Sequence, residues 1–220
     1  MKSFIITLEG NKLSEKLSSE CIVQAKTFGI DVVPYKAILG KDKKYHMDLN
    51  NFKVNTNTKK VMKEGHFGCF FSHYYLWEKC HILNEPLIIL EHDGYFIRPL
   101  PDDVLNQFED VLKLDYLDPY NKDYDKTISN NIYNSIEYIR DIKNITTQRA
   151  WGWYTWGAWA YILKPSGARK LIEFCKQEGI CTTDNLLADG ILNVVLSKPT
   201  IARLHPFFNG TNITKFTTIK

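Results

Sequence analysis

Residues 87–93 read Leu-Ile-Ile-Leu-Glu-His-Asp. A short apolar run bounded by polar residues has the pattern of a buried strand. Here it ends in two carboxylates, Glu91 and Asp93, on either side of an imidazole, His92. Charged groups at the end of a buried strand need water, a partner or a metal. Two carboxylates one residue apart suit a hard divalent cation: both can bind it, or one can bind while the other orders its waters. Gly94 follows, a point where a bulky ligand can approach the backbone. A plainer reading of the same residues is a tight turn, for which Asp-Gly is a standard pair.

Two further groups have chemistry in them. Cys69, His73, Cys80 and His81 suggest zinc, but a helix over 66–83 puts the two cysteines about 16 Å apart along its axis. Zinc ligands all lie about 2 Å from the ion, so these four together read as helix-face packing. Trp151, Trp153, Tyr154 and Trp156 fall within six residues. Strand faces alternate, so one face cannot bury them all. Trp153, Tyr154 and Trp156 are the candidates for an exposed aromatic face that could stack on a sugar ring.

The elements that position these residues begin with a strand at Phe4–Leu8 that turns at Gly10. Apolar Leu13, Leu17, Ile22, Ala25 and Phe28 then suit an amphipathic helix stopped near Gly29, and residues 31–38 return as a strand. Such a β-α-β opening implies a parallel sheet with helices packed on it. Residues 40–63 are polar and rich in Lys and Asn and read as a loop. A helix over 66–83 and the strand ending at Asp93 follow. A short helix is expected over 102–112, a strand from 111, a polar excursion over 118–131 and helix over 132–143. Next come a strand at Ala158–Leu163, a helix entered by Pro165 and Ser166, a helix over 183–196 capped near Thr183 or Asp184, and a last strand within 199–208. In open α/β sheets, ligands bind beyond the carboxyl ends of the strands, which is where Glu91, His92 and Asp93 lie.

The chain of 220 residues is 44% hydrophobic, enough for a proper core, and shows no repeat or linker, so one domain over 1–220 is expected. With 28 basic and 25 acidic residues interspersed, the net charge of +3 does not point to nucleic acid. Aromatic residues make up 13%, which leaves room for a sugar or base ligand. Five cysteines match no disulfide framework, which favours reduced thiols in a cytoplasmic compartment. The N-terminal apolar run is too short for a signal peptide or a membrane span, and no integral membrane segment is expected. The N-x-Ser/Thr triplets at Asn144, Asn209 and Asn212 are then incidental.

Three segments, in order, carry a resemblance: Gly65–His73, Leu90–Asp93 and Tyr161–Ala168. Over about residues 3–200 the chain resembles glycosyltransferase family 25, the lipooligosaccharide-type and collagen-galactosyl-type transferases. That family typically shows a Gly-Glu-Ile-Gly-Cys-x-x-Ser-His helix start, a Leu-Glu-Asp-Asp strand end and a Tyr-hydrophobic-x-x-x-Gly-Ala strand–helix unit. The resemblance implies a GT-A-like fold, a nucleotide-sugar donor and a divalent metal, usually Mn2+ (or Mg2+). It implies that Asp93 contacts the metal, while Glu91 holds metal-bound water or the donor's ribose. Ser72, His73, Thr7 and His92 would line the donor site. A functional Asp near the start of the 183–196 helix maps onto Asp184, with Asp189 as competitor, to act as the base that takes the acceptor's proton. Asp is also a preferred N-cap, so capping and catalysis both stand at Asp184. By analogy with the late histidine of several GT-A enzymes, His205 is a third metal ligand. The chain departs from the family at His92, where the middle Asp is expected, at His66, where Glu is expected, and at Thr7–Lys12, which replaces an Asn-Leu-x-Arg pattern and has no arginine. His92 is either a softer ligand or turned away, and turning away is the expectation.

The expectation is an α/β, GT-A-like single domain with a mixed, mostly parallel sheet flanked by helices. It would be a metal-dependent, inverting transferase moving galactose or glucose from a UDP-sugar to a glycan or glycolipid. A cation fits that chemistry, because a nucleoside diphosphate leaves poorly unless its developing charge is neutralised. A lipid-linked acceptor would be met at a membrane surface or through a partner. The rivals are a non-catalytic nucleotide-sugar- or glycan-binding relative and a metal-dependent hydrolase using the same strand-end acids.

Overall fold

The opening strand, β1 (Lys2–Thr7), runs into α1 (Lys12–Thr27), and β2 (Val32–Lys36) returns parallel to β1. This is the expected β-α-β unit. Asn11 starts the helix by accepting the Ser14 N–H at 3.0 Å. The computed structural model describes residues 1–55, 62–116, 136–141, 147–149, 152–154 and 157–208, with backbone alone at 147–149, 152–154 and 208.

The polar stretch after β2 is not all loop. It contains a helix, α2 (Lys43–Asn50), that ends at Asn51 in the left-handed conformation (φ 51). The helix is held by tertiary contact rather than by propensity. His46 Nδ1 lies 2.8 Å from the Tyr75 hydroxyl on the next helix, α3 (Glu64–Leu83). Polar composition there marks an outward helix face, which sequence pattern alone did not separate from a loop.

The remaining elements are β3 (Leu87–Glu91), β4 (Gly94–Phe96), β5 (Val111–Lys113), β6 (Glu137–Ile139), β7 (Thr147–Arg149), β8 (Gly152–Tyr154), β9 (Ala160–Leu163), α4 (Pro165–Glu178), α5 (Thr183–Leu186), β10 (Val194–Lys198) and β11 (Ala202–Leu204). Three helical expectations are corrected. The 102–112 segment makes only a 3-10 turn at Val104–Asn106, and the described part of 132–143 is the edge strand β6. The 183–196 helix is a single turn, α5, after which the chain becomes β10. Its second half reads Val194-Val195-Leu196, all buried, between β5 and β6. A β-branched run with both faces covered is a central strand, and a short apolar run does not distinguish the two by periodicity.

Seven strands form one sheet in the order β2-β1-β3-β9-β5-β10-β6. The first three run parallel, β9 is antiparallel to both β3 and β5, β10 is parallel to β5 and β6 is reversed. Five of the seven therefore point one way, giving the mixed, mostly parallel α/β sheet expected. Strand β3 shows why its sequence is continuously apolar. Leu87 and Ile89 join the core under α3 and α4, while Ile88 and Leu90 join the core on the opposite face under α1. The α3 side is dominated by Phe70, Phe71, Tyr74, Trp77 and Tyr161, all fully buried.

This order fixes where a ligand can go. From β1 the chain crosses to β2 on one side and later to β3 on the other. The carboxyl ends of β1 and β3 therefore flank a topological switch point, where open α/β sheets bind their ligands. Ile6 is in register with Glu91 across it.

Candidate active site

A cleft of about 400 Å³ opens at that switch point. Its walls come from the ends of β1 (Ile6, Leu8) and β2 (Ala37, Ile38), the first turns of α3, residues 91–93, the turn Gly157–Trp159, and Thr183 and Asp184 of α5. The structure thus brings Glu91, His92, Asp93, Ser72, His73 and Asp184 to one cavity from three separate segments.

Asp93 is buried, and its Oδ1 has no hydrogen-bond partner. Burial, with Glu91 nearby, pushes its carboxyl up to about 6, although His92 opposes the shift. Glu91 behaves differently. Its Oε1 lies 3.2 Å from His73 Nε2 and accepts the Cys69 thiol at 3.5 Å. Burial alone would raise its pKa, but His73, His92 and the thiol together hold it below the ordinary value. His73 is fixed from behind, with Nδ1 2.8 Å from the Tyr161 hydroxyl, which also accepts the Trp77 N–H at 2.8 Å. His92 is among the residues that line the cleft, because the turn after β3 carries His92 and Asp93 there together.

That turn does not make a hairpin. Strand β4, which follows it, leaves the main sheet and pairs with β11 in a separate ribbon. Gly94 is required there not by a ligand but by the chain itself: a Cβ would lie 2.3 Å from the Trp159 carbonyl oxygen. Gly94→Ala is expected to destabilise the protein by about 1–3 kcal/mol and to displace Asp93. Urea unfolding would measure the first, and an unchanged midpoint would contradict the close approach.

Other expected residues sit differently. Thr7 faces away from the cleft. Its neighbours Ile6 and Leu8 line the cavity, and alternation along the strand sends the Thr7 hydroxyl to Ser18 of α1 at 2.8 Å. Ser72 lines the cleft but spends its hydroxyl on structure, donating to the Gly68 carbonyl and accepting the Ile38 N–H at 2.8 Å. The main chain of His205 reaches the site, its N–H donating to the Asp93 carbonyl at 2.7 Å. Its ring does not: Nε2 pairs with Glu20 at 2.9 Å and Nδ1 accepts the Phe207 N–H. His205 thus positions the Asp93 backbone and is not arranged as a third ligand. Asp189 lies in the turn after α5, outside the cleft-lining residues. Trp153 and Tyr154 fall on β8, whose side chains are not described, and Trp156 lies outside the described residues.

His66 has a structural explanation. Its Nδ1 accepts the Lys63 N–H at 3.1 Å at the start of α3, the reciprocal half of a capping box that Glu commonly fills. The exchange of Glu for His at this position therefore keeps the helix start intact.

Lys113, at the end of β5, escaped the sequence reading, although a lysine closing a buried strand is itself a signal. It is 1% exposed, donates to the Gly157 carbonyl and lies 5.7 Å from the Trp159 ring centroid. Burial lowers its pKa to about 8 in spite of Asp184, Glu91 and Asp115 around it. The sign follows directly. Between about pH 8 and 10.5 the unfolded chain keeps a proton that the native amine has lost, so the charged form costs stability below that window and the cost fades as pH rises through it. Lys113→Met is expected to melt at or above the wild-type temperature at neutral pH, by about 1–2 kcal/mol after the lost carbonyl contact is counted. Melting curves from neutral pH to pH 10 should show the gap closing. A cost kept beside the cleft is what functional sites tolerate.

No curated protein matches the chain. Among solved structures, mouse xyloside xylosyltransferase 1 in its apo form aligns with 84% of this chain and 79% of its own, at 9% identity and a TM-score of 0.36, a likeness too slight to argue from. Residues 1–187 match the profile described as Glycosyltransferase family 25 (LPS biosynthesis protein). With the match covering both the β-α-β opening and the cleft residues from Ile6 to Asp184, the chain belongs to glycosyltransferase family 25.

Proposed function

We propose that the cleft binds a UDP-sugar together with Mn2+ or Mg2+ and transfers galactose or glucose, with inversion, to a hydroxyl of a glycan or glycolipid. The observation that supports this most is the buried, unpartnered Oδ1 of Asp93 at the switch point. A carboxylate held out of water with an open lone pair fits a hard cation, and Glu91, two residues earlier at the same strand end, would add a second oxygen donor. Asp93 would hold the ion and Glu91 support it or its waters. When bound, the ion neutralises charge on the departing diphosphate.

The other steps belong to the chain's own groups. The first turn of α3, whose Gly65 and His66 line the cleft, presents its main-chain N–H groups to a negatively charged donor. Ile6, Leu8, Ala37 and Ile38 shape the apolar wall beside it. Asp184, on a turn directed into the same cavity, accepts the proton of the attacking hydroxyl. Trp153, Tyr154 and Trp156, just before the Gly157–Trp159 wall in sequence, would stack on the acceptor. The family's description as LPS biosynthesis proteins favours a glycolipid acceptor. No described helix is long and apolar enough to cross a membrane, so a lipid-linked acceptor would be met at a surface. A GT-A-like arrangement, with strand-end acids meeting a metal and diphosphate, is the architecture this reading implies.

The test is thermal melting with a panel of UDP-, GDP- and CMP-sugars, each with and without manganese. Ligands of the folded state raise the midpoint by mass action. A metal-dependent shift with UDP-sugars alone is expected. A shift with another nucleotide class would replace the donor. No shift with any donor would favour the non-catalytic relative, and sugar release without an acceptor from many phosphate esters would favour the hydrolase.

A further inference from the structure

We propose that Cys69, His73 and Glu91 form a binding site for a zinc-class transition ion, separate from the hard-cation position at Asp93. The donor atoms Sγ, Nε2 and Oε1 lie within 4.8 Å of one another. Glu91 Oε1 is 3.5 Å from Cys69 Sγ and 3.2 Å from His73 Nε2. With bonds of about 2.0 Å to N and O and about 2.3 Å to S, a tetrahedral ion holds its ligand atoms about 3.3–3.6 Å apart. These two separations are already those of a first coordination shell.

The supports are rigid. Cys69 and His73 are four residues apart on α3, hence on one helix face, and Glu91 ends a central strand. The Tyr161 hydroxyl at Nδ1, itself held by Trp77, turns Nε2 of His73 toward Glu91. A polar partner on the far ring nitrogen is the usual orienting contact of a metal-bound histidine. All three ligands line the cleft, so ions can enter and a fourth position opens toward Thr183, whose Oγ1 is 3.4 Å from the thiol. Three protein ligands and an open position make an exchangeable site rather than a closed structural one.

The ligand types separate the two positions. Thiolate and imidazole favour zinc-class ions, whereas carboxylate and water favour Mg2+ and Mn2+. Binding forms a sulfur–metal bond and releases the thiol proton to solvent. The proposal rests on the same cleft as the proposed function and shares Glu91 with it, but Cys69 and His73 belong to this site alone and Asp93 to the other, so variants at those residues tell the failure of one from the failure of the other.

The experiment titrates the chelator-stripped full chain with Co2+, without oxygen and under reducing conditions. One ion per chain should bind, with a near-ultraviolet thiolate-to-cobalt charge-transfer band and the visible bands of a tetrahedral ion, and Zn2+ should displace it. The charge-transfer band should vanish in Cys69→Ser, which keeps a hydroxyl in the thiol's place, and persist in Asp93→Ala. Tyr161→Phe should bind about 10–100-fold more weakly. No thiolate band in the wild type overturns the proposal. So does a band that survives Cys69→Ser, since it would come from another cysteine, or one that disappears in Asp93→Ala, since the ion would then belong to that position. If Cys69→Ser melts without cooperativity, His73→Gln serves in its place, and retention of tetrahedral bands in that variant sinks the idea.

Discussion

Asp93→Asn is expected to abolish metal-dependent donor binding and to lower transfer by roughly 10³-fold, a loss of about 4 kcal/mol from the barrier. The amide keeps the shape of the carboxyl but removes the charge that a hard cation needs. The same substitution should make the metal-free protein more stable at neutral pH. Burial raises the Asp93 carboxyl from 3.8 to about 6. Across that interval the native state holds a proton that the unfolded chain has released. Stability therefore falls as pH rises through it, and the full cost persists above. For a buried group with this shift the cost is about 1–3 kcal/mol. Melting of the stripped proteins should show the asparagine variant higher at neutral pH and the two converging as pH falls below about 4. Manganese should reverse the order by stabilising only the wild type. The raised carboxyl also predicts that manganese binding weakens as pH falls through about 6, because the proton competes with the ion for Asp93, and that excess manganese moves this limb to lower pH. An asparagine variant that keeps metal-dependent turnover would remove Asp93 from the site.

Asp184→Asn should lower kcat by about 10²–10⁴-fold while leaving nucleoside diphosphate binding and donor KM near their wild-type values. A base acts on the acceptor's proton in the transition state, so its loss falls on the chemical step and not on donor affinity. Asp189→Asn is the control. It lies outside the cleft lining, and its kinetics should remain those of the wild type. Steady-state kinetics with the donor and acceptor varied in turn separates these outcomes. If Asp184→Asn keeps its turnover while Asp189→Asn loses it, the two roles are exchanged. If Asp184→Asn loses cooperative unfolding along with kcat, its part in α5 outweighs its part in catalysis. Asp184→Glu, which retains a carboxylate, should then recover part of the rate only if the group acts as a base.

The legible part of this protein was the part set by local sequence. The β-α-β opening was readable because β1 and β2 are short apolar runs around a helix with a 3.6-residue stripe, and each element shows its period without help from the others. The burial of β3 was readable because its four apolar residues in a row, bounded by Pro86 and by charged residues, are too few for a helix and suit a strand covered on both faces. The ordered motifs around Gly65, Leu90 and Tyr161 pointed to the family for the same local reason, and the placing of Glu91 and Asp93 at a ligand-binding edge followed from the strand ending there.

What the tertiary structure decided was everything that depends on which neighbour an element meets. The segment after α5 became strand β10 because β5 and β6 lay on either side of it, a pairing absent from its own periodicity. Thr7 turned toward α1 and His205 toward Glu20, since a side chain's direction depends on register and on partners distant in sequence. Cys69, His73 and Glu91 met only when α3 was laid against β3. Lys113 became a buried charge only when the Gly157–Trp159 turn closed over it. Periodicity and spacing fix which face a residue takes on its own element, so they determined the elements and the strand-end acids. Distances between elements are set by packing across the sheet, so the composition of the cleft, and the partner of each ionisable group within it, came from the fold alone.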